Sequence, residues 1–141
     1  MTPDASHPPV PQPDALTQPF WDACRRHVLE APECEICGYL FLPTGPRCPR
    51  CWSNRLRARA LSGEGSVFTF AVYRRSYHPA LPAPYTVALI ELREGPRLIS
   101  NIVGCAPEEV GVGMPVRVRF EDVGEFTLPR FEPAHPEGEE K

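Results

Sequence analysis

The chain has 141 residues and a formal net charge of −3, with Lys141 its only lysine among 15 basic residues. That near-neutral balance argues against a polybasic nucleic-acid or membrane-surface protein, and no apolar run reaches the about 18–20 residues of a membrane span. The start, MTPDASHPPVPQPDALTQPF, has neither a basic opening nor an apolar core, so no secretory signal is read there and the chain is expected in the cytoplasm.

Residues 1–18 are proline-rich and polar, and are expected to be disordered or to lie against a partner. From Pro19 the pattern becomes helical. Thr17 can cap, Pro19 suits a first turn, and Phe20, Trp21, Cys24, Val28 and Leu29 recur at helical spacing. A helix over 19–29 is too short to hold alone, so its Phe20–Trp21 edge must pack on something. A cysteine-rich module follows, from about Ala31 to Leu61; helix and module together are expected as one unit, 19–62.

After it the periodicity is that of strands. Ser66–Tyr73 (SVFTFAVY) alternates. Tyr85–Leu92 (YTVALIEL) and Arg97–Val103 (RLISNIV) flank Arg93-Glu94-Gly95-Pro96, a good hairpin turn. Val116–Phe120 (VRVRF) alternates cleanly, and a last strand is expected near Phe126–Phe131. Five strands predict a small closed antiparallel barrel over 63–132, for which the OB-fold is the leading architecture. The fold class is therefore mainly β. PAHPEGEEK, 133–141, is expected to be a disordered acidic tail.

The chemistry concentrates in ECEICGYLFLPTGPRCPRCW, residues 33–52. Cys34, Cys37, Cys48 and Cys51 have the spacing C-x2-C-x10-C-x2-C. Each CxxC forms a knuckle whose sulfurs point to one centre, and two knuckles complete the S4 shell that zinc prefers. A reducing compartment disfavours disulfides. With four thiolates and no exchangeable position the site is structural, one zinc per chain; iron of rubredoxin type would use the same ligands. A module of about 30 residues buries too little apolar area to fold alone, and the metal supplies the missing stability.

The order of these features resembles a known family. It is carried by Pro19-Phe20-Trp21, Cys34-x2-Cys37-Gly38, Cys48-Pro49-x-Cys51, Gly63-x-Gly65, Pro84-Tyr85, Gly113-x-Pro115-Val116 and Phe131-x-Pro133. Over about residues 19–132 the chain is similar to the family once catalogued as domain of unknown function thirty-five. That family joins a rubredoxin-like zinc ribbon to an OB-fold. The resemblance implies a non-catalytic accessory subunit of thiolases or thiolase-like aldolases acting on acyl-CoA thioesters, in hetero-oligomers such as a heterotetramer on a thiolase dimer. Steroid side-chain degradation is one pathway it implies.

The remaining residues fit a helper better than an enzyme. Cys24 and Cys105 read as buried structural thiols. His7 and His135 sit in tails, His27 on the helix. No carboxylate pair, Walker loop or dinucleotide glycine pattern is present. The alternative function is single-strand nucleic-acid binding by the OB-fold, with Phe68, Phe70, Tyr73 and Tyr77 as aromatics. Gly63–Glu132 carries seven arginines against nine acids, which equips it poorly for phosphates, and Phe68, Phe70 and Val72 are expected to share a core face. Phe20, Trp21 and Trp52 are candidate partner contacts, with packing on the ribbon as the competing role. Arg74, Arg75, Tyr77 and His78 are candidate contacts for acyl-CoA, whose phosphates suit arginine.

Overall fold

The structure is a computed structural model that describes residues 11–76 and 82–134. Ahead of the first helix, Asp14 organises a turn. Asp14 Oδ1 accepts the N–H groups of Leu16 and Thr17 at 3.0 and 2.9 Å, and Gln18 N–H donates to the Asp14 carbonyl at 2.8 Å. Asp14 thus answers donors that a helix start leaves open. The bond from Thr17 N–H contributes most to holding its carboxyl below the usual range. Thr17, expected to cap, has no side-chain cap bond; its hydroxyl is taken up with Asp14, accepting from N–H at 3.0 Å and donating to Oδ1 at 3.2 Å.

Helix α1 spans Gln18–Arg25 and stops short of the expected Leu29. His27 adopts φ 61°. Its N–H donates to the Cys24 carbonyl at 2.8 Å, and Val28 N–H donates to the Ala23 carbonyl at 2.9 Å. This is a Schellman closure with histidine where glycine is usual. His27 stacks on Phe120, centroids 5.1 Å apart. Leu29 therefore begins a strand.

Strands β1 (Leu29–Cys34) and β2 (Leu56–Leu61) form an antiparallel ribbon. The barrel follows: β3 (Glu64–Tyr73), β4 (Tyr85–Leu92), β5 (Arg97–Ile102), β6 (Pro115–Val123) and β7 (Phe126–Pro133). Its order is β3-β4-β5-β7-β6, closed by β3 on β6, the Greek-key closure of an OB-fold. The β4–β5 turn falls at Arg93–Pro96 as expected, Leu92 N–H donating to the Pro96 carbonyl at 2.8 Å.

One strand departs from simple alternation. β3 has a bulge between Val67 and Thr69, so an extra residue enters and the facing reverses. Val67 is buried on one side of the bulge, and Phe70 packs against the core on the other. Phe68, expected in the core, is left 43 % exposed, with the Arg97 guanidinium 3.9 Å over its ring. Close approach explains the paired glycines at this strand's start. A Cβ on Gly63 would lie 2.4 Å from Val118 Cγ1, and one on Gly65 would lie 2.5 Å from the Glu91 carbonyl oxygen.

Ribbon and barrel share one apolar cluster. Leu29, Ala31 and Leu61 of the ribbon join Ile90, Val116 and Phe131 of the barrel, and Phe20 of α1 packs against it.

Candidate metal centre

The two knuckles place all four cysteine sulfurs within 4.8 Å of one another. Cys34 Sγ and Cys51 Sγ are 3.5 Å apart, and Cys37 Sγ and Cys48 Sγ 3.6 Å. A disulfide needs about 2.05 Å, whereas a tetrahedron with bonds of about 2.3 Å to the metal has edges of about 3.8 Å. The donor set therefore fits a tetrahedral thiolate-bound metal. Cys34 and Cys48 are buried, Cys37 and Cys51 exposed.

The knuckles are near copies of each other. In the first, Ile36 and Cys37 N–H groups point at Cys34 Sγ, both at 3.4 Å. In the second, Arg50 and Cys51 N–H groups point at Cys48 Sγ at 3.3 and 3.4 Å. Gly38 N–H donates to the Cys34 carbonyl and Trp52 N–H to the Cys48 carbonyl. Cys34 N–H donates to the Tyr39 carbonyl, Cys48 N–H to that of Ser53. Such N–H donors favour the thiolate. The N–H of Cys37, chiefly, brings the Cys34 thiol down to about 6.

One of the sequence differences between the copies falls where the backbone is unusual. The residue after each second cysteine has positive φ, 79° at Gly38 and 68° at Trp52. Glycine takes that conformation freely; a bulky side chain is strained there. Trp52 is nonetheless 70 % exposed, and Ile36 of the first knuckle is 60 % exposed. Arg47 Nη1 donates to the Trp52 carbonyl at 3.0 Å, and the Arg50 guanidinium lies 4.5 Å over Tyr39. Behind the tip, Glu33 accepts from Arg57 Nε and Arg59 Nη1, both at 2.9 Å. The first of these bonds does most to hold its carboxyl below the ordinary range.

The other expected site residues do not gather there. Phe20 and Trp21 are half-buried, edge-to-face at 4.9 Å, on the wall of an apolar groove between α1, the 42–44 loop and the barrel. Arg74 and Arg75 follow β3 and are exposed; Tyr77 and His78 lie outside the described residues. Burial, then the charge of Glu30, pushes the Cys24 thiol up to about 12, and burial, then Glu109, raises that of Cys105. Both are held protonated, the opposite of an activated nucleophile. Among the described residues no helix is long and apolar enough to cross a membrane.

Sequence reasoning missed the positive φ of Trp52. Aligning CEICGY with CPRCWS would have exposed it, since tryptophan falls opposite glycine. It also missed the groove, whose walls come from segments far apart in the chain.

A family model described as "ChsH2, C-terminal OB-fold domain" matches residues 58–121. The chain is 41 % identical over 122 residues to a probable enoyl-CoA hydratase alpha subunit of Thermomonospora curvata, covering 85 % of this chain and 38 % of that protein. It is 33 % identical over 129 residues to the 3-oxo-4,17-pregnadiene-20-carboxyl-CoA hydratase alpha subunit of Mycobacterium tuberculosis, covering 86 % and 41 %. The chain thus spans about two fifths of those two relatives. A DUF35 domain-containing scaffold protein of Methanocaldococcus jannaschii is 36 % identical over 102 residues, covering 71 % of this chain and 72 % of that one. Among solved structures, a chain of the "Ltp2-ChsH2(DUF35) aldolase" superposes with a TM-score of 0.84 at 37 % identity, covering 89 % of this chain and 100 % of that chain. An ordered pair of cysteine knuckles, an OB barrel, and matches that cover most of the scaffold protein and all of the aldolase chain place this chain in the DUF35 family.

Proposed function

We propose that the chain is a non-catalytic accessory subunit of a cytoplasmic hetero-oligomer in which a thiolase-fold partner acts on an acyl-CoA thioester. The observation that carries this reading is the match over the whole of the DUF35 chain of an aldolase. The curated relatives named for carboxyl-CoA and enoyl-CoA hydratases support acyl-CoA as the substrate class, the pregnadiene name favours a steroid acyl group, and the aldolase name favours an aldol cleavage. In this reading the partner supplies nucleophile and base. This chain supplies scaffold and interface, in a heterotetramer built on a partner dimer.

The four thiolates of Cys34, Cys37, Cys48 and Cys51 would hold one zinc ion. The metal supplies cross-linking, not chemistry, because the four sulfurs already complete a tetrahedral shell. The chain's own part is to orient them, through the N–H groups of Ile36, Cys37, Arg50 and Cys51. The fold divides, on this reading, into helix plus ribbon at 19–62 and barrel at 63–132. Trp52, exposed and conformationally strained, suits a partner contact, since exposed tryptophan and arginine concentrate binding energy at interfaces. Arg74 and Arg75, with Tyr77 and His78, remain the proposed contacts for CoA phosphates.

The test is affinity capture of the tagged chain from its host. The expected result is a thiolase-fold subunit in stoichiometric amount, with about one zinc per chain by metal analysis. A chain that comes down alone, or with nucleic acid, would overturn the reading.

A further inference from the structure

The groove beside α1 has a volume of about 430 Å³, within the roughly 300–1,000 Å³ of small-molecule sites. Its floor is the outer face of the barrel, from Val87 on β4, Ile99 on β5 and Leu128 on β7. Its walls are Phe20 and Trp21 of α1, and Leu42–Pro43 of the ribbon loop. Ile99 is 71 % exposed, a large apolar side chain on a sheet face with nothing over it among the described residues. This face is where OB-folds take their ligands, but here it is apolar rather than basic.

Among the described residues, one charged group borders this apolar space. Arg130 lines the groove and its side chain is only 14 % exposed. Nη1 donates to Asn101 Oδ1 at 2.7 Å and Nε to Glu121 Oε1 at 2.9 Å. Asn101 is fixed in turn by donating to the Thr86 carbonyl at 3.0 Å. The guanidinium is therefore held in one orientation before any ligand arrives, which lowers the ordering cost of binding. Its carboxylate partner, Glu121, is half exposed, so water screens that pair. For Nη2 the described residues offer no acceptor.

An apolar trough ending in a fixed guanidinium selects an amphiphile with an apolar body and an oxygen acceptor at one end. We infer that this groove binds the acyl portion of a thioester or the corresponding carboxylate, with the apolar body over Ile99 and Val87 and the carbonyl or carboxylate oxygen on Arg130. This rests on the acyl-CoA reading above, and it adds a site on this chain rather than on its partner.

The experiment uses the full zinc-loaded chain carrying Trp52→Phe, so that emission comes from Trp21 in the groove wall. It is titrated with dodecanoate and, in a parallel arm, with the tetracyclic carboxylate lithocholate, each below its micellar concentration. Dodecanol serves as the uncharged control. A saturable change in Trp21 emission is expected, weakened about tenfold or more by Ile99→Asp, which places a charge on the apolar floor. Ile99 is exposed, so that variant should keep the parent's circular dichroism. Arg130→Gln should remove the preference for dodecanoate over dodecanol and leave dodecanol binding in place. Tighter binding in the lithocholate arm would assign the groove to ring-shaped acyl groups, tighter dodecanoate binding to linear ones. No saturable change in either arm, or binding that ignores Ile99→Asp, overturns the inference. A chain that binds a probe but captures no thiolase-fold subunit sinks only the accessory reading; one that captures the subunit but binds neither probe sinks only the groove.

Discussion

The ribbon and the barrel are stabilised by different means. In the ribbon, β2 buries only Leu61 of its six residues, and the knuckles present Ile36 and Trp52 to solvent. In the barrel, every second residue of β4 is buried: Thr86, Ala88, Ile90 and Leu92. Apolar burial can sustain the second region but not the first. The four thiols converge where the apolar area runs out. Metal-free, the ribbon would keep only the base that it shares with the barrel through Leu29, Ala31 and Leu61.

The largest expected effect follows from that contrast. Cys48→Ser should abolish metal binding, a contribution on the order of 10–16 kcal/mol in small zinc modules. Hydrogen exchange should then show the amides around both knuckles unprotected and those of β4 and β5 still protected. Simultaneous loss in the barrel would show instead that the shared cluster makes one cooperative unit. Next in size is a barrel change that leaves the ribbon alone. Gly65→Ala directs a Cβ at the Glu91 carbonyl, which no rotamer can relieve because the opposing atom is backbone. Overpacking of this kind costs about 1–3 kcal/mol, read as a lower denaturation midpoint with the metal content unchanged.

How far each region is legible in the sequence follows the same division. The cysteine cluster could be read directly, because thiolate coordination demands the residues and the spacing that the chain displays. Most of the barrel could be read because alternation in YTVALIEL and VRVRF is local. What failed was non-local or irregular. The bulge at Val67–Thr69 moves Phe68 outside, and no feature of SVFTFAVY announces it. The helix ends early because His27 takes a conformation that usually marks itself with glycine. Nothing local favoured Asp14 over Thr17 as the acceptor ahead of α1, since both residue types cap well and only the bonding tells them apart. The orientation of Arg130 depends on β7 lying beside β5, which follows from closing the barrel and not from either strand's sequence.

The two knuckles allow a finer test inside the ribbon. Trp52→Gly should stabilise the zinc-loaded chain by about 1 kcal/mol, the cost of holding a side chain in the left-handed region. It should weaken capture of the partner at the same time. Gly38→Ala, where an added Cβ would meet nothing within 4 Å, should lose about the same amount and leave capture unchanged. Opposite signs from equivalent positions would separate backbone strain from binding. If Trp52→Gly were destabilising, the side chain would have a packing role that its exposure hides.

The smallest effect concerns Glu33, where two arginines of β2 meet one carboxylate of β1. Its hydrogen bonds with Arg57 and Arg59 lower its pKa in the folded state, whereas the unfolded chain should titrate near the ordinary value of about 4.3. A lowered folded value means that the unfolded state takes up the proton first as pH falls. The stabilisation is complete above the unfolded value and disappears as pH drops through the folded one. Glu33→Gln should therefore lower the melting temperature slightly at neutral pH, and the difference from the parent should close in acid below both values. Both side chains of the arginine pair are at least half exposed, so salt should shrink the difference as well. A gap that persists in strong acid would assign the role of Glu33 to packing at the ribbon's base, and would place that strand pair with the barrel rather than with the metal.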